Sequence, residues 1–243
     1  MGSADLGRRF PTEDKGELQW ILGIAITRDR AARSMTLSLA LYVSDLIDRF
    51  ASYMGALSRS YDTPFPEGRS LFPADCPSVD TPEHADMQPF RATYMSIVGG
   101  LMWIATMVDC TLSFAVAQLA RNLSNPSKLC WESALRVLRY AQTHSSTLVF
   151  SPDTARGLEV YIDSSWLPTY SCSGALFYFH GSLFAWYSKT QRSISLSSAE
   201  AEYSADNAQR RVRHERVHGG PKRFGRTVGL LDASQHTARQ GML

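Results

Sequence analysis

The sequence has few cysteines, and they are not arranged to bind zinc or to form a disulfide framework. Cys76, Cys110, Cys130 and Cys172 lie far apart in the 243 residues, with no C-x-x-C pair and no histidines at zinc-finger spacing. This pattern is typical of reduced thiols, which are the rule inside cells. We therefore expect a cytoplasmic or nuclear protein.

Long apolar runs are also absent, and so is a strong excess of charge of either sign. No run approaches the about 18 apolar residues of a membrane-spanning helix, and the N-terminus has no apolar signal-peptide core. We therefore expect a soluble chain with no membrane partner. The formal net charge of +2 means that any affinity for nucleic acid has to come from local basic patches.

Composition and apolar periodicity divide the chain into four segments, and the fold class that they predict is α+β. The first contains a hairpin, with strands near 18–24 and 35–39, that leads into a helix near 41–50. The second is rich in proline and predicts an extended, loosely held linker. The third predicts helices and the fourth a sheet with a helix. The segments are residues 1–57, 58–90, 91–150 and 151–243.

The third segment predicts three helices from apolar residues at helical spacing. On the last of them, Lys128, Arg136 and Arg139 lie away from the apolar face. These basic residues form either an ordinary solvated surface or one that follows the phosphates of a nucleic-acid duplex. The predicted helices span approximately 91–107, 112–123 and 128–143.

Two short pieces of the fourth segment carry candidate metal ligands. Residues 160–166 predict a β-strand that ends on the carboxylate of Asp163, and residues 197–203 predict a helix N-terminus that carries Glu200. Two aromatic-rich runs within 173–188 predict a hairpin between them. If the sheet places Asp163 opposite the first helical turn, the two carboxylates can bind a divalent cation through oxygen ligands.

Both carboxylates also have ordinary structural interpretations. Asp163 can end a strand and begin a turn, which is a common use of aspartate. Ser197 and Glu200 fit a capping box, in which each side chain bonds the other residue's backbone N–H. The local pattern leaves these alternatives open.

Three motifs in this segment resemble the ribonuclease H domain of copia-type LTR retrotransposon Pol polyproteins. D-S-S-W at 163–166, W-Y-S-K-T-Q at 186–191 and L-S-S-A-E-A-E-Y at 196–203 are similar to the family's S-D-A-D-W, W-x-S-K-x-Q and A-L-S-S-T-E-A-E-Y, in the same order. Upstream, residues 18–29 resemble the family's reverse transcriptase where the chain enters the thumb, and residues 94–150 resemble the helical connection that follows.

The resemblance implies a thumb- and connection-like part followed by an incomplete ribonuclease H-like mixed sheet with a helix. It implies that Asp163 and Glu200 are metal ligands and that Lys189 and Gln191 lie on the third strand, where we expect them to contact nucleic acid. A fourth strand would end at Asp232, the third ligand. The implied reaction is hydrolysis of the RNA strand of an RNA–DNA hybrid, with Mg²⁺ or Mn²⁺ as cofactor.

The chain departs from the family pattern in several places. V-D-C-T-L at 108–112 replaces T-R-P-D-I/L, and a basic run at 209–226 replaces an apolar helix continuation. That run is either a nucleic-acid-binding segment or the result of sequence drift or a shifted reading frame in a decayed element. Its leading basic residues are Arg210, Arg211 and Arg213.

The 243 residues include neither the polymerase aspartates nor the last ribonuclease H ligand of the family. The resemblance therefore implies a Pol fragment with little or no turnover alone, which functions with the rest of a Pol polyprotein. The alternative is a domesticated, non-catalytic module that binds nucleic acid through the helix at 128–143 and the basic run.

Overall fold

The computed structural model describes residues 16–55, 60–66, 69–144, 146–165 and 171–191. These residues form four α-helices and two antiparallel sheets, which confirms the predicted α+β class. None of the helices in these ranges combines the length and the hydropathy of a membrane-spanning segment. The helices are α1 (Ala40–Met54), α2 (Pro82–Met107), α3 (Ser113–Ala120) and α4 (Lys128–Thr143).

The first sheet has the order β1-β2-β3-β4 and combines the N-terminal hairpins with a strand that follows α4. The prediction of a single strand over 18–24 is wrong. The chain reverses at Leu22 and Gly23, whose φ angles of 52° and 81° are those of a type I′ turn. Apolar alternation therefore continues through a tight hairpin. The strands are β1 (Trp20–Ile21), β2 (Ile24–Asp29), β3 (Ser34–Ser38) and β4 (Thr147–Phe150).

The second sheet is a three-stranded meander in the order β5-β6-β7. Its second turn contains His180 and Gly181, with φ angles of 50° and 76°, so the predicted hairpin is confirmed. The described strands pair antiparallel throughout; the predicted strand that ends at Asp232 lies outside the described residues. The strands are β5 (Leu158–Ser165), β6 (Cys172–Phe179) and β7 (Ser182–Thr190).

The proline-rich second segment is anchored in the helical core rather than loosely held. Phe65 and Leu71 are buried in the same cluster as the inner faces of the helices. From Pro82 onward the segment is already helical, with the Thr81 side chain accepting a hydrogen bond from the backbone N–H of His84 at 3.3 Å. Proline is favoured in the first turn of a helix, where its missing N–H costs nothing. The same proline that predicts a linker therefore begins α2.

The crossing of α1 and α2 depends on a glycine. A Cβ added to Gly100 would lie 2.7 Å from a methyl group of Leu46, whose side chain is itself buried. The neighbouring Gly99 faces open space, with no heavy atom within 4 Å of an added Cβ. The two glycines weaken the helix equally as isolated residues, but only Gly100 permits the close approach.

The turn before α3 is organised by a buried carboxylate. One oxygen of Asp109, Oδ1, accepts hydrogen bonds from the backbone N–H and the hydroxyl of Thr111, at 3.1 and 2.6 Å. Burial raises the pKa of Asp109 because it penalises the charged form, and this effect exceeds the lowering by Thr111 and the nearby His144. Residues 108–112, which depart from the family pattern, therefore cap their own turn through the Asp109 side chain.

The glycine pair gives a matched stability prediction. Gly100→Ala is expected to lower the free energy of unfolding by about 1–3 kcal/mol, because overpacking displaces the buried Leu46. Gly99→Ala is expected to raise it by up to about 1 kcal/mol, because alanine is the better helix former. Urea unfolding of the two variants measures both effects. Equal effects would show that the two helices do not cross as closely as described.

Asp109 gives a pH-dependent prediction. When burial raises the folded-state pKa of an acid, the protein loses stability as pH rises above the unfolded-state pKa of that group. Asp109→Asn is therefore expected to unfold at a higher temperature than wild type at about pH 7. The difference should vanish at about pH 3, where the carboxyl is protonated in both states. The control, Asp109→Ala, loses both accepted hydrogen bonds and should be less stable than the Asn variant throughout. A wild type more stable than Asp109→Asn at neutral pH would refute this account.

Candidate functional site

Asp163 lies within β5 and not at its end, since the strand continues to Ser165. The prediction that the strand ends at Asp163 is therefore wrong, and so is the interpretation of Asp163 as a turn residue. In the sheet register Asp163 pairs with Gly174, which pairs in turn with Ser188. Directly opposed residues share a face of the sheet, so Asp163 and Ser188 flank a position without a side chain.

The Asp163 side chain is half-buried and partly oriented by the backbone. Its Oδ1 accepts a hydrogen bond from the backbone N–H of Ser164 at 2.9 Å. Carboxylate oxygens are the ligands that hard divalent cations prefer. Within the described residues no three His, Cys, Asp or Glu side chains cluster to hold a metal ion. The described part thus contributes a carboxylate of the right chemistry and not a complete metal site.

Lys189 and Gln191 are near each other but are not brought to Asp163. Lys189 pairs with Ser173, one position along from the Asp163 row, so it projects from the opposite face of the sheet. Its ammonium lies 5.9 Å from the ring centroid of Tyr187 and is exposed. Gln191 donates from Nε2 to Ser173 Oγ at 2.8 Å. Both residues thus belong to a separate polar strip, and their contact with nucleic acid stays a prediction.

The basic residues of α4 are less exposed than helical spacing predicts. Arg136 donates from Nη2 to the carbonyl and the hydroxyl of Thr63, each at 3.0 Å, and lies 4.4 Å from the ring centroid of Tyr61. Arg139 donates to the carbonyl oxygen of Met54 at the end of α1. Both arginines therefore anchor other segments, while Lys128 is exposed to solvent. Whether they bind nucleic acid stays a prediction.

A polar link that sequence reasoning did not single out joins the two halves of the molecule. Arg121 donates from Nη1 to Gln118 Oε1 at 3.1 Å and from Nη2 to the hydroxyl of Thr190 in β7. The fully buried Gln118 also accepts from the backbone N–H of Leu71 at 3.2 Å. Burial lowers the pKa of Arg121. The available signal was the family motif Q-L-A-R at 118–121, which contains both residues.

An indole reinforces this junction between the helices and the second sheet. Trp186 of β7 donates from Nε1 to the carbonyl oxygen of Ala105 in α2 at 2.7 Å. Trp186 lies on the same sheet face as Asp163, as the register shows. The helices therefore determine where β7, and through the sheet β5, is held.

The remaining candidate residues lie outside the described residues. They are Glu200, Asp232, Arg210, Arg211 and Arg213, together with the capping partner Ser197.

Comparison with known proteins relates the chain to transposon proteins. It is 31% identical over 205 residues to the retrovirus-related Pol polyprotein from transposon TNT 1-94 of Nicotiana tabacum, a match that covers 83% of this chain and 15% of the relative. It is 30% identical over 206 residues to a putative transposon Ty5-1 protein of Saccharomyces cerevisiae, covering 82% of this chain and 62% of that protein. The chain thus spans only part of the length of these relatives.

A shorter match has a different name. Secreted RxLR effector protein 161 of Plasmopara viticola is 37% identical over 117 residues, which are 46% of this chain and 82% of the effector. The transposon matches extend over 82–83% of this chain and so account for more of its fold. No family model and no solved structure matches the chain.

Proposed function

We propose, because this chain belongs to the Pol polyproteins of copia-type LTR retrotransposons, that its second sheet is part of a ribonuclease H-like domain with Asp163 as a metal ligand. The substrate class is the RNA strand of an RNA–DNA hybrid. The chain by itself binds metal weakly and does not turn over. The observation that carries the proposal is the position of Asp163 inside β5 of an antiparallel meander.

The sheet supports this role for Asp163 in two ways. The register leaves no side chain at Gly174, between Asp163 and Ser188, so the carboxylate has a neighbouring position on the same face that is not filled by its partner strand. The N–H of Ser164 engages one carboxylate oxygen and restricts the rotation of the side chain. A ligand held on a strand keeps its geometry better than one on a loop.

The ligand chemistry fits Mg²⁺ or Mn²⁺, which bind carboxylate oxygens and retain several waters. Asp163 would hold the ion together with Glu200 and Asp232, the two carboxylates assigned by resemblance. Bound ions of this kind supply an activated water and neutralise the leaving oxygen. Recognition of RNA would depend on its 2′-hydroxyl groups, which distinguish it from DNA.

We expect no turnover because the third ligand, Asp232, lies in a poor match to the family motif. The sequence around Asp232 is D-A-S-Q, a poor match to the family's D-N-Q-S-A. Two-metal hydrolysis requires both ions to be held with their charges balanced. Two well-matched carboxylates hold one ion weakly and leave the second without its ligands.

The test is a labelled RNA–DNA hybrid incubated with the full chain and Mg²⁺ or Mn²⁺, with Mn²⁺ affinity measured in parallel by calorimetry. We expect no cleavage, and at least about tenfold weaker Mn²⁺ binding in Asp163→Asn, since even the loss of an outer-shell partner has an effect of this size. The matched control is Asp153→Asn, which removes the same charge from an exposed loop beside the sheet.

Two results would contradict the proposal. Cleavage by the wild type that disappears in Asp163→Asn would show that the site is complete and active. Equal Mn²⁺ affinity in wild type, Asp163→Asn and Asp153→Asn would show that Asp163 is not a ligand.

A further inference from the structure

Three helices contribute to an aromatic cluster on the surface, far in the sequence from β5. Tyr53 of α1, Phe90 of α2 and Trp131 of α4 contact one another, with centroid separations of 5.4 Å for Tyr53–Trp131, 5.1 Å for Phe90–Trp131 and 6.4 Å for Tyr53–Phe90. Tyr53 remains 41% exposed and Phe90 37% exposed. Single exposed apolar residues are ordinary, but three aromatic rings in mutual contact form a continuous apolar surface.

Positive charges flank this aromatic cluster. Arg49 precedes Tyr53 by one turn of α1, and Lys128 precedes Trp131 by one turn of α4, so each shares a helix face with its aromatic neighbour. Both are exposed, and within the described residues neither forms an ion pair. Arg139 lies beside the C-terminal end of α1, where it donates to the carbonyl oxygen of Met54, the residue after Tyr53.

Exposed aromatic faces beside unpaired cations are the chemistry of single-stranded nucleic-acid binding. Every base has a π-face that can stack on an aromatic ring, and the phosphates interact with nearby lysine and arginine side chains. A base-paired duplex keeps its bases stacked on one another and cannot use such a platform. The combination therefore favours an unpaired strand.

We propose that the cluster of Tyr53, Phe90 and Trp131, with Arg49, Lys128 and Arg139, binds single-stranded nucleic acid. Bases stack on the exposed faces of Tyr53 and Phe90, and the backbone passes the cationic side chains. This site lies on the helices and needs no metal, so it goes beyond the proposed nuclease site and does not depend on Asp163.

An acidic residue beside the aromatic cluster allows the sign of the ligand's charge to be tested. Asp86 precedes Phe90 by one turn of α2 and is exposed, so its charge lies near the path of the phosphates. Removal of this charge by Asp86→Asn should strengthen binding of an anionic strand. A cationic or neutral partner on the same surface would respond in the opposite way or not at all.

The experiment measures anisotropy of a labelled single-stranded oligonucleotide of about 12 nucleotides with the full chain, at low and at physiological salt. We expect Phe90→Ala and Tyr53→Ala each to weaken binding by roughly 5- to 150-fold, from the known contribution of stacking per base. Phe90→Leu, which keeps the apolar bulk without the ring, should lose a similar factor. Met95→Ala removes an exposed side chain elsewhere on α2 and is the matched control.

Binding should also weaken with salt, remain in Asp163→Asn and exceed the affinity for a duplex of the same sequence. No binding by the wild type, or equal affinity of wild type and Phe90→Leu, would overturn the proposal. So would weaker binding by Asp86→Asn or loss of binding in Asp163→Asn, since the first excludes an anionic ligand here and the second moves the ligand to β5.

Discussion

The arrangement of the molecule depends on a polar link buried between its helices and its second sheet. Gln118 is fully buried, and its amide oxygen is satisfied by two donors from different segments, Leu71 and Arg121. Arg121 in turn reaches the hydroxyl of Thr190 in β7. A buried polar group that loses its partner costs about 1–3 kcal/mol, so moving Leu71 or Arg121 away from Gln118 is penalised by about that amount.

The position of Asp163 follows from this constraint. β7 is held to the helices by Arg121 and by the indole of Trp186, and the sheet register then places β6 and β5, with Cys172 of β6 also buried in the helical core cluster. Asp163 lies on the sheet face that also carries Trp186 and Thr190, the two residues that bond the helices. The aromatic cluster uses the N-terminal part of α2, at Phe90, whereas β7 contacts the C-terminal part, at Ala105, so the two proposed sites can be separated by mutation.

Local patterns in the sequence were enough to predict the meander and the helix boundaries of α4. Period-two alternation over β5 to β7 and a turn at His180 specify the sheet, and the family motifs place Asp163 in it. Alternation failed at Leu22, because the apolar pattern runs on through the two turn residues, although the hairpin pairs Trp20 with Ala25 and so reverses the parity of the inward positions. Apolar periodicity also could not show which residues of different helices contact one another.

The remaining errors have one physical cause, which is non-local packing. Phe65 and Leu71 are isolated apolar residues in a proline-rich stretch, and no periodic signal marks them as core. Arg136 and Arg139 look solvent-facing on α4 because their partners, Thr63 and Met54, are far away in the sequence. The aromatic cluster is likewise visible only once three helices are assembled.

The central claim, that Asp163 belongs to a metal site, is tested most directly by paramagnetic relaxation of amide signals on addition of Mn²⁺. If the account is right, the amide signals of Ser164 and Gly174 broaden first, because they adjoin the Asp163 carboxylate, while that of Leu22 in the distant hairpin does not. Uniform broadening, or broadening that spares Ser164 and Gly174, would contradict it.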